Sequence, residues 1–380
     1  MYGIVNKLIG GYCDMLLSFL RREPVLCAAA AAALLSMLAV PPSAAYLGYV
    51  DLRVLCLLFC LMAVVAGLQS CQLFSLMAQR LLAGKHSPRF VMTLLVLLPF
   101  FTSMLVTNDV SLITFVPFAI LVLEIIGRLD YLIPVVVLQT VAANLGSMAT
   151  PVGNPQNLFL YASYNLSAGS FFGVMVPLTL LSLVGLLVAC LFFPKGVIQV
   201  DFSQPCTITS KKRLGMYLTL FLLCLLTVFR VLPYGALTVL VAVLLLAVDR
   251  PILKKVDYCL LLTFVCFFIF AGNIGAIEQV KVFLESLLSR SAALSSILAS
   301  QVISNVPAAV LLAGFTDDWR GLLVGTNLGG LGTLIASLAS LISFKLYAAL
   351  PEAKPGRYLA VFTAVNLAGL AILVPLSFLL

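Results

Sequence analysis

Long apolar stretches of roughly the length of a membrane-spanning helix follow one another along almost the whole chain. About 20 consecutive apolar residues are needed to cross a bilayer as a helix, and Pro, Gly or charged residues bound each stretch. The pattern predicts about nine spanning helices, at residues 25–41, 51–82, 131–160, 168–193, 213–232, 234–249, 257–277, 321–347 and 357–380. The predicted fold class is an all-α polytopic membrane protein.

Two further apolar stretches, residues 89–126 and 291–318, carry a polar motif near their centre. Thr107-Asn108-Asp109 interrupts the first stretch, and Ser304-Asn305-Val306-Pro307 interrupts the second. Each stretch is too long for one span, and a break at bilayer depth survives only where protein or water satisfies its backbone. We therefore predict two re-entrant hairpins with these motifs at their tips.

Two glycine-containing polar breaks resemble each other. Residues 143–158 and 326–341 align without gaps and share five of sixteen residues: Asn144 with Asn327, Leu145 with Leu328, Gly146 with Gly329, Thr150 with Thr333, and Leu158 with Leu341. Paired breaks at matching places in two halves are typical of transporters, whose discontinuous helices form the binding site between repeats. The pattern predicts two broken helices and two structural repeats.

The basic residues indicate how the repeats lie in the membrane. If the N-terminus is cytoplasmic and each hairpin returns to its own side, seventeen of the 22 Lys and Arg residues lie inside, as the positive-inside rule requires. The other five lie outside: Arg53, Arg230, Lys281, Arg290 and Arg320. The hairpin at 89–126 then enters from the cytoplasm and the hairpin at 291–318 from outside, so the repeats are inverted and the C-terminus lies outside.

Four segments follow from this topology. We expect an interfacial amphipathic helix at 1–23, a first inverted repeat at 24–194, a cytoplasmic linker at 195–213 and a second inverted repeat at 214–380. The expected location is the inner (plasma) membrane.

Composition excludes a soluble globule and narrows the class of partner. Hydrophobic residues make up 63% of the chain and charged residues 9%, with a mean hydropathy of +1.18, which leaves too little polar surface for a soluble protein. The net charge of +8 falls in short loops, so it reports topology and does not indicate a nucleic-acid partner.

The ten cysteines lack a Cys-x-x-Cys pair and His86 is the single histidine, which argues against a metal site. No catalytic motif points to an enzyme.

The hairpin tips and helix breaks supply the candidate binding site. A broken helix exposes N–H groups at one end and C=O groups at the other, and neutral oxygen ligands suit Na⁺ or hydrogen bonds to an oxyanion. The candidate residues are Thr107, Asn108, Asp109, Asn144, Gly146, Thr150, Pro151, Gly153, Asn154, Ser304, Asn305, Val306, Pro307, Asn327, Gly329, Gly332, Thr333 and Ser337. The alternative is that these small residues let helices approach closely.

Asp109 is the one carboxylate at the centre of an apolar stretch. Ionisable groups inside a membrane are functional hypotheses by default. Proton exchange and cation coordination are its two functional interpretations, and a structural hydrogen bond to the hairpin backbone is the third.

Two other charged positions admit a structural interpretation. We expect Lys345, toward the end of its span, to extend to the membrane interface, with neutralisation of an anionic substrate as the alternative. Glu124 and Arg128 have the spacing and order of a stabilising helical ion pair.

With these motifs, the chain resembles members of the ion transporter superfamily from about residue 24 onward. That group includes divalent anion/sodium symporters, citrate-metal-proton transporters, arsenite efflux pumps and sodium/proton antiporters of the same fold. The two hairpin motifs stand where the family has Ser-Asn-Thr-type tips, and residues 149–157, Ala-Thr-Pro-Val-Gly-Asn-Pro-Gln-Asn, resemble its Ala-Thr-Pro-Ile-Gly signature.

The resemblance implies a homodimer that works as an elevator, with no cofactor besides a coupling ion. It places Na⁺ sites at two sets of residues: Asn108 with Gly146 and Thr150, and Asn305 with Gly329 and Thr333. Dicarboxylate carriers have a hydroxyl at the third place of both tips, where this chain has Asp109 and Val306. An Asn-Asp tip is more like the arsenite and sodium/proton branches.

The predicted function is secondary active transport of an anion, citrate-like, dicarboxylate-like or inorganic, coupled to H⁺ or Na⁺. The alternative is arsenite efflux or Na⁺/H⁺ antiport with Asp109 as the proton-exchanging group. A passive channel would need a continuous polar path, whereas here the polar residues cluster at one depth.

Overall fold

The computed structural model describes residues 23–202 and 206–379. The predicted interfacial helix at 1–23 lies outside the described residues, apart from Glu23.

The first half is a succession of helices with one short strand. Its elements are α1 Pro24–Ala39, α2 Tyr46–Tyr49, α3 Leu52–Ser70, α4 Leu73–Leu82, β1 Gly84–His86, α5 Pro88–Thr102, α6 Asn108–Ile125, a 3₁₀ turn Leu129–Tyr131, α7 Leu132–Ser147, α8 Pro155–Ser163 and α9 Ala168–Cys190. Proline opens α1, α5 and α8, a position where its missing N–H costs nothing.

The second half repeats much of this order. Its elements are β2 Ile198–Val200, α10 Lys211–Val228, α11 Tyr234–Val248, α12 Arg250–Leu253, α13 Tyr258–Gly275, α14 Glu278–Arg290, α15 Ala292–Ile303, α16 Asn305–Leu312, a 3₁₀ turn Ala313–Phe315, α17 Trp319–Leu328, α18 Leu338–Ala348 and α19 Pro355–Ser377.

The all-α polytopic class is confirmed. Six helical segments of the described chain are long and apolar enough to cross a membrane: Leu52–Ser70, Asn108–Ile125, Leu129–Ser147, Ala168–Cys190, Tyr258–Gly275 and Pro355–Ser377. Helices α1 and α11 are apolar but shorter, so nine spans remain a prediction.

The two polar motifs lie where one helix turns into the next. Thr107-Asn108 joins α5 to α6, and Ser304, with a positive φ of 73°, joins α15 to α16. The helix before the second pair, α14, bends by 117° into α15, so these two helices do not form one straight span.

The predicted single span at 51–82 is wrong. Helix α3 ends at Ser70, whose hydroxyl donates to the carbonyl of Gly67 at 2.7 Å, and Gln72 adopts a left-handed conformation with φ of 59° before α4 begins. The cause is local, because a serine hydroxyl bonded back to its own helix and a left-handed residue together end the helical path.

The predicted ion pair of Glu124 with Arg128 is also wrong. Helix α6 ends at Ile125, and Gly127 with φ of 65° turns the chain, so Arg128 leaves the helical face that Glu124 occupies. Arg128 instead pairs with Asp130 at 3.2 Å and covers the ring of Tyr131.

The linker contains an element that the apolar pattern did not predict. Strand β2 pairs antiparallel with β1, with Lys85 opposite Gln199. Arg89 Nε adds a bond to the carbonyl of Phe193 at 3.0 Å. These contacts attach the linker to the start of α5.

Most helices of the described chain fall into two groups. Helices α5–α9 and α15–α19, here called the hairpin bundle, pack on one another across the two halves, α6 on α18 and α16 on α8. The flanking helices are α1, α3, α10, α11 and α13, in which α1 packs on α13 and α11 packs on α3. The candidate site lies in and beside the hairpin bundle.

Candidate functional site

The tip of the first hairpin is bonded to the break in the first broken helix. The backbone N–H of Asn108 donates to the carbonyl of Gly153 at 3.2 Å. The Asn108 Oδ1 atom accepts the N–H of Asp109 at 3.0 Å, and its Nδ2 atom donates to Asn144 Oδ1 at 2.9 Å. An asparagine suits this position because its side chain both donates and accepts.

The second tip makes the equivalent backbone bonds. The N–H of Asn305 donates to the carbonyl of Ala336 at 3.0 Å, and Asn305 Oδ1 accepts the N–H of Val306 at 3.0 Å. Gly153 and Ala336 are separated by 183 positions, as are Asn144 and Asn327. The tip contacts of the two halves therefore recur in one register, and Val306 takes the place of Asp109.

The threonines of the two breaks contact their hairpins in the same register. Thr150 Oγ1 donates to the carbonyl of Met104 at 2.5 Å, and Thr333 Oγ1 donates to the carbonyl of Gln301 at 3.2 Å. Both bonds fix a break against the arm that precedes a tip.

A pair of bonds crosses between the halves. Asn154 Nδ2 donates to Asn327 Oδ1 at 3.0 Å, and Ser337 Oγ donates to Asn144 Oδ1 at 3.1 Å. Asn154 and Ser337 precede the second half-helices α8 and α18, whereas Asn144 and Asn327 lie in the first half-helices α7 and α17. The two bonds are equivalent, because Asn154 corresponds to Ser337 and Asn327 to Asn144 by the same 183-residue offset. The predicted asparagines therefore meet where the two halves are in contact.

Other buried polar groups complete this cluster, and the candidate list missed them. Asn157 Oδ1 accepts from Asn327 Nδ2 at 2.6 Å, Ser147 Oγ accepts from Asn154 Nδ2 at 3.1 Å, and Ser340 Oγ accepts from Asn144 Nδ2 at 3.3 Å. All of these residues are buried. Asn157 belongs to the same polar break as Asn154, so the sequence carried a signal for it.

Gln301 is a further residue that sequence reasoning missed. Its Nε2 atom donates to the carbonyls of Gly329 at 3.0 Å and Leu331 at 2.9 Å, and its Oε1 atom accepts the N–H of Thr333 at 2.9 Å. It thus satisfies backbone groups that the break leaves unpaired. A lone glutamine shortly before a tip was the available signal.

The glycines of the breaks allow close packing. A Cβ atom on Gly146 would collide with the backbone of Phe100 on α5, one on Gly153 with the carbonyl of Ser147, and one on Gly329 with Ser300. Gly332 has φ of 110°, which favours glycine. Pro151 is buried in the first break, and Ser304, Val306 and Pro307 are buried at the second tip.

A cavity of about 420 Å³ lies between the flanking helices and the hairpin bundle. Thr107, Asp109 and Asn154 line it from the bundle, with Lys345 of α18. Leu58 and Met62 of α3, Leu26 of α1 and Thr263 of α13 line it from the flanking helices. Glu23, just before α1, and Lys255 and Asp257, before α13, also line it. The cavity therefore joins one hairpin tip to a cluster of charges outside the helices.

Helices α3 and α13 occupy corresponding places, because each is the second helix before a hairpin and each follows an aspartate cap. Asp51 Oδ1 accepts the N–H of Val54 at 3.1 Å, and Asp257 Oδ1 accepts the N–H of Leu260 at 2.8 Å, the N-terminal cap that aspartate favours. Counted from these caps, Leu58 corresponds to Phe264 and Met62 to Phe268.

The corresponding positions are packed together on the other side. Phe159 of α8 lies 6.5 Å from Phe264 and 5.8 Å from Phe268, measured between ring centroids. Phe159 corresponds to Ile342 by the 183-residue offset, and Ile342 lines the cavity. Helix α13 also packs directly on α16. The interface of α3 with α18 thus holds the cavity. The corresponding interface, of α13 with α8, is filled by an aromatic cluster of Phe159, Phe264 and Phe268.

A model of the family described as "Citrate transporter" matches residues 15–317, which includes both hairpin tips and the first break. The chain belongs to this citrate transporter family. The family is one of transporters, as the resemblance to the ion transporter superfamily predicted, and this member is a polytopic membrane transporter.

Relatives of this chain include two transporters and an inner membrane protein. The chain is 32% identical to an uncharacterized transporter of Methanocaldococcus jannaschii over 318 residues, 83% of this chain and 86% of that protein. It is 29% identical to the inner membrane protein YbiR of Escherichia coli over 295 residues, 75% and 77% of the two chains. A silicon efflux transporter of Oryza sativa subsp. japonica is 31% identical over 129 residues, 34% of this chain and 26% of that protein.

Proposed function

We propose that this citrate transporter family member is a secondary active transporter that carries a small anion together with a proton on Asp109. The observation that carries the proposal is the cavity that Asp109 and Lys345 share, with an aromatic cluster closing the corresponding side. A carboxyl group that takes up a proton and an ammonium group that attracts an anion are thereby accessible to one substrate.

The sign of the coupling follows from Coulomb's law. An anion and an ionised Asp109 repel each other by about 3 kcal/mol at a separation of about 6 Å and an effective dielectric constant of about 20. The same free energy favours proton uptake by Asp109 when the anion binds, because coupling between two ligands is reciprocal. Anion and proton therefore bind together, which is symport.

Arsenite efflux or Na⁺/H⁺ antiport is the second candidate. Asp109 has no salt-bridge partner within 4 Å among the described residues, so its carboxylate is free to meet a cation. A silicon efflux transporter among the relatives adds a silicon compound as a substrate class. A cation would compete with the proton on Asp109, and the coupling would then be antiport.

Alternating access would proceed by movement of the hairpin bundle against the flanking helices, as an elevator. The inverted repeats predicted from the sequence support this proposal, because exchanging the conformations of two equivalent halves moves an opening from one face to the other. The recurring tip contacts and the one-sided cavity fit such an exchange. By the distribution of basic residues, Lys255 marks the cavity as facing the cytoplasm. A homodimer and an inner-membrane location complete the proposal.

The test is uptake by purified protein in liposomes. Citrate, succinate, sulfate and arsenite are offered under an imposed proton or Na⁺ gradient. We expect saturable anion uptake that an inwardly directed proton gradient accelerates at least fivefold. Uptake of arsenite or Na⁺ driven by an outwardly directed movement of protons, without anion uptake, contradicts symport and favours the second candidate. Anion uptake that responds to Na⁺ alone reassigns the coupling ion.

The aromatic cluster gives a prediction of its own. Phe159→Ala should expose the second tip to the outside, because it removes the ring that contacts Phe264 and Phe268. In a cysteine-free background carrying Ser304→Cys, buried in the structure, labelling by an impermeant maleimide from outside should rise severalfold. Phe192→Ala, at an exposed position, is the matched control. Equal labelling in both variants would show that the cluster does not close this side.

A further inference from the structure

One face of α18 forms a wall of the cavity. Leu338, Leu341, Ile342 and Lys345 all line it, and their spacing of three and four residues places them on one side of a helix. Ser340, Ser343 and Tyr347 of the same helix are buried elsewhere in the protein. Lys345, exposed in the last turn of α18, is therefore the charged residue that this helix presents to the cavity.

The ammonium group of Lys345 is not paired with another described side chain. It makes no hydrogen bond and no salt bridge within 4 Å in the part of the chain that the structure describes. Other charged residues line the same cavity from other elements: Glu23 before α1, Lys255 and Asp257 before α13, and Asp109 on α6. Burial and Asp257 raise the pKa of Glu23, whereas Lys345 lowers it, so Lys345 interacts with Glu23 at the edge of the cavity.

The position of Lys345 along its helix sets its distance from the tips. Ser337, at the start of α18, is bonded to Asn144, which is bonded to the tip residue Asn108. Lys345 follows about 12 Å further along the helix axis, at about 1.5 Å per residue. A substrate that touches the tip can extend along the cavity wall toward Lys345. The flexible Lys345 side chain can then contact the other end of that substrate.

We propose that Lys345 determines the charge specificity of the transport site by supplying the positive charge that an anionic substrate needs. The inference rests on the proposed function and deepens it. When Asp109 is protonated, the charge that the hairpin bundle contributes to the cavity wall is the positive charge of Lys345. This charge favours binding of an anion over binding of an uncharged oxyacid. Lys255, the other lysine of the cavity, lies on the segment before α13, outside the bundle that bears the tips.

The experiment compares an anionic and an uncharged probe in liposomes at neutral pH. Citrate is the anion, and arsenous acid is the uncharged oxyacid. For Lys345→Gln we expect the KM for citrate to rise about tenfold to hundredfold, with kcat within threefold and arsenous acid uptake unchanged. Lys345→Arg should restore most of the affinity, because it returns the charge. Lys281→Gln should leave the KM for citrate within twofold, because Lys281 pairs with Glu285 on α14 and does not line the cavity.

The outcomes separate this inference from the function on which it rests. A wild-type protein that takes up no anion overturns the proposed function, and the inference with it. Wild-type citrate uptake whose KM is unchanged in Lys345→Gln overturns the inference alone. Equal slowing of both probes, without rescue by Lys345→Arg, would show a structural role for Lys345 and would also overturn it.

Discussion

Replacing Asp109 by Asn should abolish accumulation of the anion driven by a proton gradient while exchange of internal for external anion continues. Asparagine keeps the size and hydrogen-bonding capacity of the side chain but cannot carry a proton through the cycle. The tip geometry should persist, because the bonds of Asn108 to Gly153 and Asn144 do not involve the Asp109 side chain. We expect gradient-driven accumulation to fall to the level that the concentration gradient of the anion alone supports. One proton per cycle supplies about 1.4 kcal/mol, or about tenfold accumulation, for each unit of the pH step.

Accumulation and exchange are measured on the same liposomes, with radiolabelled anion and a pH step. Asp130→Asn is the matched control, because Asp130 is an exposed carboxylate that pairs with Arg128 away from the cavity. If Asp109→Asn keeps more than half of the proton-driven accumulation, the coupling ion lies elsewhere. The first groups to examine are then the other carboxyl groups that line the cavity, Glu23 and Asp257.

Replacing Gly146 by Val should prevent the protein from folding. A Cβ atom at this position would overlap the carbonyl and Cα atoms of Phe100, and backbone in a helix packed this closely cannot rotate away as a side chain can. Helices α5 and α7 would have to separate, which would disturb the tip and the break together. Overpacking of a well-packed core typically costs about 1–3 kcal/mol, and a collision with backbone exceeds that range.

The yield of monodisperse protein in detergent and its thermal transition measure this effect. Gly173→Val is the matched control, because a Cβ at Gly173, in α9, meets nothing within 4 Å. We expect the control to be purified like the wild type and Gly146→Val to be recovered, if at all, only as aggregate. A monodisperse Gly146→Val protein with an unchanged transition would contradict the packing of α5 on α7.

The sequence by itself determined the class of the protein and the positions of its two hairpin tips and two polar breaks. Apolar stretches of spanning length fixed the polytopic all-α class, and Asn108, Asn305 and the Gly-rich breaks marked the turns, because a polar or glycine residue inside an apolar run has few other reasons to be there. The same motifs carried the resemblance to the ion transporter superfamily, which the family match bears out. These are local signals, readable without knowing which helices pack together.

Only the tertiary structure decided which residues meet across the chain. It placed Lys345 on the wall of the cavity with Asp109, brought Asn154 to Asn327, closed one side with Phe159 and paired Arg128 with Asp130. Each of these contacts depends on the direction of a helix face or on the turn after a helix. Those directions are set by packing between segments more than a hundred residues apart, or by the left-handed turn at Gly127, and the apolar pattern of a single segment does not contain them.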